Sequence, residues 1–127
     1  MSDPIFLEPE LVEEYHKRSL ELFGGLDGLR DRGLFIGAVM QAQNVYWYGK
    51  GDLFDIAAAY CFYIAQAQAF LDGNKRTAVA AGLAFLEFNG MDTDRDIDEE
   101  LFDAMIALAN HEMTREQLAM LLRDLFT

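Results

Sequence analysis

The strongest constraint on this chain is a pair of segments, Leu53 to about Gln68 and about Asn74 to Phe88, that are apolar at nearly every position and separated by a short charged junction. A helix that is apolar all round cannot lie on a surface and has to be covered on several sides. Asp52 heads the first segment as a good N-cap, and nearly every residue from there to Ala67 is apolar. The second carries Ala78, Val79, Ala80, Ala81, Leu83, Ala84, Phe85 and Leu86 and stops at Asn89-Gly90. Small residues let two such helices approach closely, so the pattern predicts a buried helix pair with the junction on a rigid base.

The rest of the chain reads as helices that cover this pair. Phe6 and Leu7 suggest a short extended lead-in. From Glu10 to Phe23, Leu11, Val12, Tyr15, Leu22 and Phe23 fall near helical spacing, with Gly24-Gly25 as the stop. A loop is predicted over 26–32 and a short helix over 34–43. Asn44 to Gly51 is expected to be extended, because Val45, Tyr46, Trp47 and Tyr48 favour strand-like backbone and glycines punctuate its end. As pure physics this is an aromatic loop capping the core; exposed aromatics also suit peptide docking.

Asp92, Asp94, Asp96 and Asp98 alternate through an acidic linker. A calcium loop is excluded there, since Ile97 and Asp103 occupy the positions that need Gly and Glu, so the linker is assigned to solvent with Asp98 as a cap. A helix over 99–110 follows, then a last one opened by a Thr114-x-x-Gln117 capping box. The expected fold is a single all-α domain over residues 1–127, of about six helices with one small aromatic flap or hairpin.

Charge and cysteine usage narrow the function classes. A net charge of -12 with only 10 cations, thinly spread, argues against a nucleic-acid surface. No apolar run has the length of a membrane span, and the acidic stretch from Met1 to Glu14 lacks the basic start of a secretory signal, so a soluble cytoplasmic protein is expected. The one cysteine, Cys61, sits among aromatics and reads as a buried apolar residue.

The junction itself, Gln68 to Thr77, reads Q-A-F-L-D-G-N-K-R-T. Between Gly51 and Asp94 its Lys75 and Arg76 are the only cations, and they stand at the start of a helix, where the dipole favours acidic residues. A bound anion removes that conflict. Backbone N–H groups at a Gly turn, two cations and the Asp72 carboxylate make up a phosphate site with a metal-capable oxygen beside it. The plainer reading keeps Asp72 or Asn74 as a helix cap, Gly73 as its turn and both cations as solvated. On chemistry alone the two readings stand level.

At this stretch the chain resembles the Fic/Doc family, in particular its death-on-curing branch, whose motif runs His-x-Phe-x-Asp/Asn-Gly-Asn-Lys-Arg. Phe70, Asp72, Gly73, Asn74, Lys75 and Arg76 match it in register, and Gln68 stands where the family carries its catalytic His. The resemblance implies transfer of part of a nucleotide onto a protein hydroxyl. Most Fic enzymes transfer AMP, whereas the death-on-curing branch looks like a kinase acting on translation elongation factor Tu. Lys75, in place of a small residue, and Val79, in place of a second Arg, favour the kinase. The implied cofactors are ATP and Mg²⁺. By resemblance Asp72 holds the metal, Phe70, Gly73 and Asn74 form the nucleotide cradle, Lys75 and Arg76 neutralise phosphate charge, and Tyr46, Trp47 and Tyr48 form the flap that aligns the target peptide.

Gln68 breaks the pattern. An amide has no usable basic site near neutral pH, and losing a general base costs roughly 10²- to 10⁴-fold in rate. His16 and His111 lie in other predicted helices, and the sequence does not show whether either comes near. Three readings stand open: a death-on-curing toxin impaired at one residue, a pseudoenzyme that binds nucleotide or protein without transfer, and an interaction module. The family's Ser/Thr-x-x-x-Glu inhibitory helix is missing, since none of Ser2, Ser19, Thr77, Thr93 or Thr114 has Glu four residues on. The resemblance therefore implies a separately encoded antitoxin, with a disordered segment that folds on this protein.

Overall fold

The computed structural model describes residues 3–127, with Met1 and Ser2 outside the described residues. Six helices follow one another: α1 (Pro9–Phe23), α2 (Arg32–Gly49), α3 (Leu53–Ala67), α4 (Asn74–Phe88), α5 (Asp98–Ala109) and α6 (Arg115–Phe126). Among the described residues the β structure is one isolated bridge, between Leu29 and Phe70, so the fold is all-α. None of these helices is long and apolar enough to cross a membrane.

The two apolar segments do form the centre. α3 packs against α2, α4 and α6 and touches α5, while α1 lies on α4 and α2. On α3, Phe54, Ile56, Tyr60, Cys61, Ile64 and three consecutive alanines, Ala57 to Ala59, are all buried, so the helix has almost no solvent face. Its seam with α4 is tight. A Cβ added at Gly82 of α4 would come within 2.5 Å of Cys61 Sγ and 3.1 Å of the Ala57 carbonyl oxygen, so only glycine fits this approach. Burial pushes the Cys61 thiol up to about 12, as expected of an inert core residue.

Helix ends follow the predicted signals in most places. α1 stops at Gly24, which takes a positive φ of 76° that suits glycine. At the head of α3, the Asp52 carboxylate accepts from the Asp55 N–H and the Asp55 carboxylate from the Asp52 N–H, each at 2.9 Å. Thr114 and Gln117 form the same reciprocal box on α6, at 3.1 and 2.8 Å. Leu7 lies in an irregular lead-in, buried, with its N–H donated to the Tyr60 hydroxyl at 2.9 Å.

Two expectations are corrected. The segment 44–51 is not extended, since α2 runs without a break from Arg32 to Gly49 and ends at Lys50 in left-handed backbone. Its aromatics are held as helix because they have a place to pack: the Phe6 ring meets Tyr46 at 5.9 Å and Trp47 at 6.0 Å, and the Tyr46 hydroxyl donates to Asp3 at 2.9 Å. Asp98 is also not a cap. The N-cap of α5 is Ile97, and Asp98 joins Glu99 and Glu100 in the first turn, where their charge complements the helix dipole.

Candidate functional site

The junction between α3 and α4 is built from the backbone outward. α3 ends at Ala67, and Gln68 turns the chain in left-handed backbone, φ 49° and ψ 40°, with its side chain exposed. Such backbone costs a non-glycine residue on the order of 1 kcal/mol, so the packing that follows has to hold it. Ala69 and Phe70 then turn inward and are buried. The Phe70 ring stacks on His16 of α1 at 3.7 Å and meets Phe35 of α2 edge-on at 5.1 Å. Its backbone is held from both sides. The Asn74 amide accepts from the Phe70 N–H at 3.1 Å and donates to the Phe70 carbonyl at 3.0 Å. Across from it, the Arg30 N–H donates to the Ala69 carbonyl at 2.6 Å and the Leu71 N–H to the Gly28 carbonyl at 3.0 Å.

His16 is a strut of this turn. Its Nε2 lies 2.8 Å from the Asp72 carbonyl oxygen, and because a carbonyl only accepts, Nε2 carries the proton. The ring is buried between that contact and Phe70.

α4 begins in an unusual way. Its N-cap is Gly73, at a positive φ of 76°, with no side-chain cap and no acidic residue in the first turn. Among the described residues the N–H groups of Asn74, Lys75 and Arg76 have no acceptor, while the Thr77 N–H already closes onto Gly73. The helix thus presents three open donors, its positive dipole end and two cations at one place. The exposed Asp72 carboxylate accepts from the Gly73 N–H at 2.9 Å and from the Leu26 N–H at 3.3 Å. The Arg76 guanidinium lies 5.0 Å over the Phe23 ring, and one of its terminal nitrogens donates to the Gly24 carbonyl at 3.3 Å. Among the described residues its Nε is buried without a partner. A buried guanidinium N–H left unpaired at an uncapped helix start is what an anion would satisfy.

A nucleotide with a divalent metal fits this donor set. Among the described residues no group of three or more His, Cys, Asp or Glu side chains gathers to hold a metal by itself. Asp72 would offer a hard cation one carboxylate, and Mg²⁺, which commonly keeps water and phosphate ligands, needs few protein oxygens.

The sequence profile described as "Fic/DOC family" matches residues 6–86, well over half of the chain. This chain belongs to the Fic/Doc family. It is 31% identical over 121 residues to "Protein kinase doc" of Escherichia phage P1, covering 94% of each chain. It is 38% identical over 101 residues to "Toxin Doc" of Mycolicibacterium smegmatis, covering 76% of this chain and 77% of the relative. Both relatives belong to the Doc branch.

The Fic/Doc motif positions divide between two sides of the α4 start. Asp72 and Arg76 are engaged with the Gly24–Leu26 segment after α1. Gln68 and Lys75 line a hollow of about 190 Å³ on the other side, together with Gln66, Leu108 and His111. Phe70 and Asn74 are committed to holding the turn, so neither offers a free side chain to a nucleotide. Tyr46 and Trp47 pack on Phe6, while Tyr48 lines a groove with Tyr63, Arg115 and Glu116. Phe6, which holds Tyr46 and Trp47, also stacks on Phe85 at 6.2 Å. Phe85 lies eleven residues along α4 from Asn74, roughly 16 Å away at helical rise.

The segment that does run beside the motif is 24–30, which pairs with 69–71. Gly25 has φ +122°, and a Cβ there would come within 2.8 Å of Asp72 Oδ2, so this close approach depends on glycine. The Gly24-Gly25 pair was readable as a helix stop, but its second service to Asp72 was not. His16 and His111 gave no sequence signal beyond being imidazoles.

Proposed function

We propose that this Fic/Doc protein is a Doc-type toxin of a toxin–antitoxin pair, which binds ATP with Mg²⁺ at the α3–α4 junction and transfers phosphate to a protein hydroxyl at a rate limited by Gln68. The observation that carries the reading is the unpartnered Arg76 Nε beside the uncapped α4 start. The names of the two relatives, a kinase and a toxin, support the same direction.

Bound ATP and Mg²⁺ supply the transferable phosphoryl group and its partial charge neutralisation. The open N–H groups at the α4 start hold phosphate oxygens, Arg76 pairs with them through its free Nε, and Lys75 offers a mobile cation as charge develops in transfer. Asp72 provides the metal's protein oxygen. Its two hydrogen bonds from backbone N–H groups use one lone pair on each oxygen, which fixes the carboxylate and leaves the other lone pairs open. Phe70 and Asn74 act by holding the turn in shape. The acceptor is a translation factor hydroxyl, with elongation factor Tu the case to which the family resemblance points, and the partner is an antitoxin encoded apart. That setting places the protein in the cytoplasm.

The exposed amide at position 68 favours one second reading, a Fic-fold protein that binds nucleotide without transferring it. Titration calorimetry with ATP and Mg²⁺ tests what the two share. The wild-type chain is expected to bind, and Arg76→Ala to weaken binding about tenfold to a hundredfold, the worth of a charged hydrogen bond. Equal affinity in both proteins, or none in either, removes the phosphate site from the junction.

A further inference from the structure

We propose that His111 is the proton acceptor for transfer in this protein, reaching the junction from the C-terminal end of α5 to supply the imidazole that position 68 lacks. The inference rests on the phosphoryl-transfer reading above. A transfer to a hydroxyl needs somewhere for the hydroxyl proton to go, and Gln68 cannot take it.

Of the two imidazoles in the chain, His16 is unsuited. It is buried, stacked on Phe70, with its Nε2 proton given to the Asp72 carbonyl. His111 has the opposite environment. It is exposed, and among the described residues its side chain makes no hydrogen bond or ion pair. It lines the same hollow of about 190 Å³ as Gln68 and Lys75. Its backbone is left-handed, with φ 59°, a conformation in which histidine is enriched among non-glycine residues.

The arrangement also suits the direction of attack. Asp72 and Arg76 are committed to the Gly24–Leu26 side of the α4 start, while Gln68, Lys75 and His111 face the α5 side. In-line transfer puts the leaving and attacking oxygens on opposite sides of phosphorus. With the nucleotide anchored toward Gly24–Leu26, the acceptor enters past α5. A second hollow of about 350 Å³ leads away from His111 along Tyr63 and Gln66 to Arg115, leaving room for the chain that carries the hydroxyl.

In the step itself the hydroxyl O–H bond breaks and its proton passes to the unprotonated imidazole nitrogen of His111. The hydroxyl oxygen forms a bond to the γ-phosphorus. The bond from that phosphorus to the bridging oxygen breaks, and its electron pair leaves with ADP. His111 then releases the proton to water.

The test measures phosphate incorporation from γ-labelled ATP into purified elongation factor Tu, with a whole bacterial lysate in parallel, beside calorimetry for ATP and Mg²⁺. Glycine suits left-handed backbone and asparagine tolerates it, so His111→Gly and His111→Asn should both fold, which thermal unfolding checks. The wild-type chain is expected to transfer slowly, and both variants to lose about 10²-fold in rate with ATP affinity unchanged. Added free imidazole should restore part of the His111→Gly rate and none of the His111→Asn rate, because only glycine leaves space for it. Placing the base back in the motif should make position 111 irrelevant, so Gln68→His is expected to transfer equally well with and without His111→Gly. Intact ATP binding with a His111→Gly rate equal to wild type overturns the proposal alone. So does a wild-type chain that never transfers while Gln68→His does. Loss of ATP binding in every variant removes the phosphoryl-transfer reading, and this proposal with it.

Discussion

The starts of α3 and α4 are the same kind of object treated in opposite ways. Both open a buried helix of 15 residues, and the two helices share a seam that only glycine fits at Gly82. The start of α3 satisfies itself: Asp52 and Asp55 exchange hydrogen bonds, and Arg123 of α6 closes on the Asp52 carboxylate at 2.7 Å. The start of α4 has glycine for a cap, cations where acids belong, and a guanidinium nitrogen without a partner. Glycine in place of a side-chain cap costs a few tenths of a kcal/mol, and first-turn cations add about as much. One chain that obeys the rule at α3 and inverts it at α4 treats the second helix start as a place for an outside anion.

Three substitutions sharpen or break that contrast. The largest effect is expected at the edge of the open end. Gln68→His should raise phosphate transfer by about 10²-fold, since it puts a general base at the motif position where the wild-type chain depends on His111 across the hollow, while ATP affinity stays the same. A folded, nucleotide-binding variant that remains inert would leave the open end as a binding site only.

The closed end is next. Asp52→Ala should destabilise the protein by about 1 kcal/mol in urea unfolding, because it removes the cap and the Arg123 pairing together. The size of this deficit depends on pH. Burial pushes the Asp52 carboxyl up, but hydrogen bonds from the Asp55 N–H and from Arg123 outweigh it and hold the group below the ordinary aspartate range. A group lowered in the folded state contributes stability above its unfolded pKa and loses it as pH falls through the folded value. The gap between wild type and Asp52→Ala should therefore be full at neutral pH and close in acid below the ordinary aspartate range, which melts across that interval would show. A gap that widens in acid contradicts the assignment.

The smallest effect is the most discriminating in sign. Lys75→Glu puts an acid in the first turn of α4 and should stabilise the free protein by about 0.3–1 kcal/mol while abolishing ATP binding. If it destabilises the free protein instead, Lys75 has a structural partner and the contrast between the two ends is lost.

The sequence was most legible where local chemistry and burial agree. α4 was placed from about Asn74 to Phe88, and the Asp52 cap, the Thr114-x-x-Gln117 box and the stop after α1 were visible, because each depends on residues a few positions apart. The aromatic run Tyr46 to Tyr48 misled because strand propensity is a weak preference that tertiary packing overrides. A better signal was present: Phe35, Ala38, Val39 and Ala42 are buried and Val45 and Tyr46 half-buried, a helical period that carries through the supposed loop. At the candidate site, the motif spacing showed which residues share a turn but not which way each faces. Phe70 and Asn74 read as nucleotide contacts and turned out to be braces, and the nearness of His111 is a long-range fact that no local pattern encodes.

The burial of Cys61 makes it a clock for the whole platform. Only the thiolate attacks a thiol reagent, and this thiol is enclosed at the seam and pushed up to about 12, so modification has to wait until α3 and α4 part. With one cysteine in the chain, every labelled molecule records one such opening. Where reclosing outruns labelling, the observed rate divided by that of the unfolded chain is the opening equilibrium constant. The same measurement taken with and without ATP would then express ligand binding at the far end of the pair as a change in how often its middle opens.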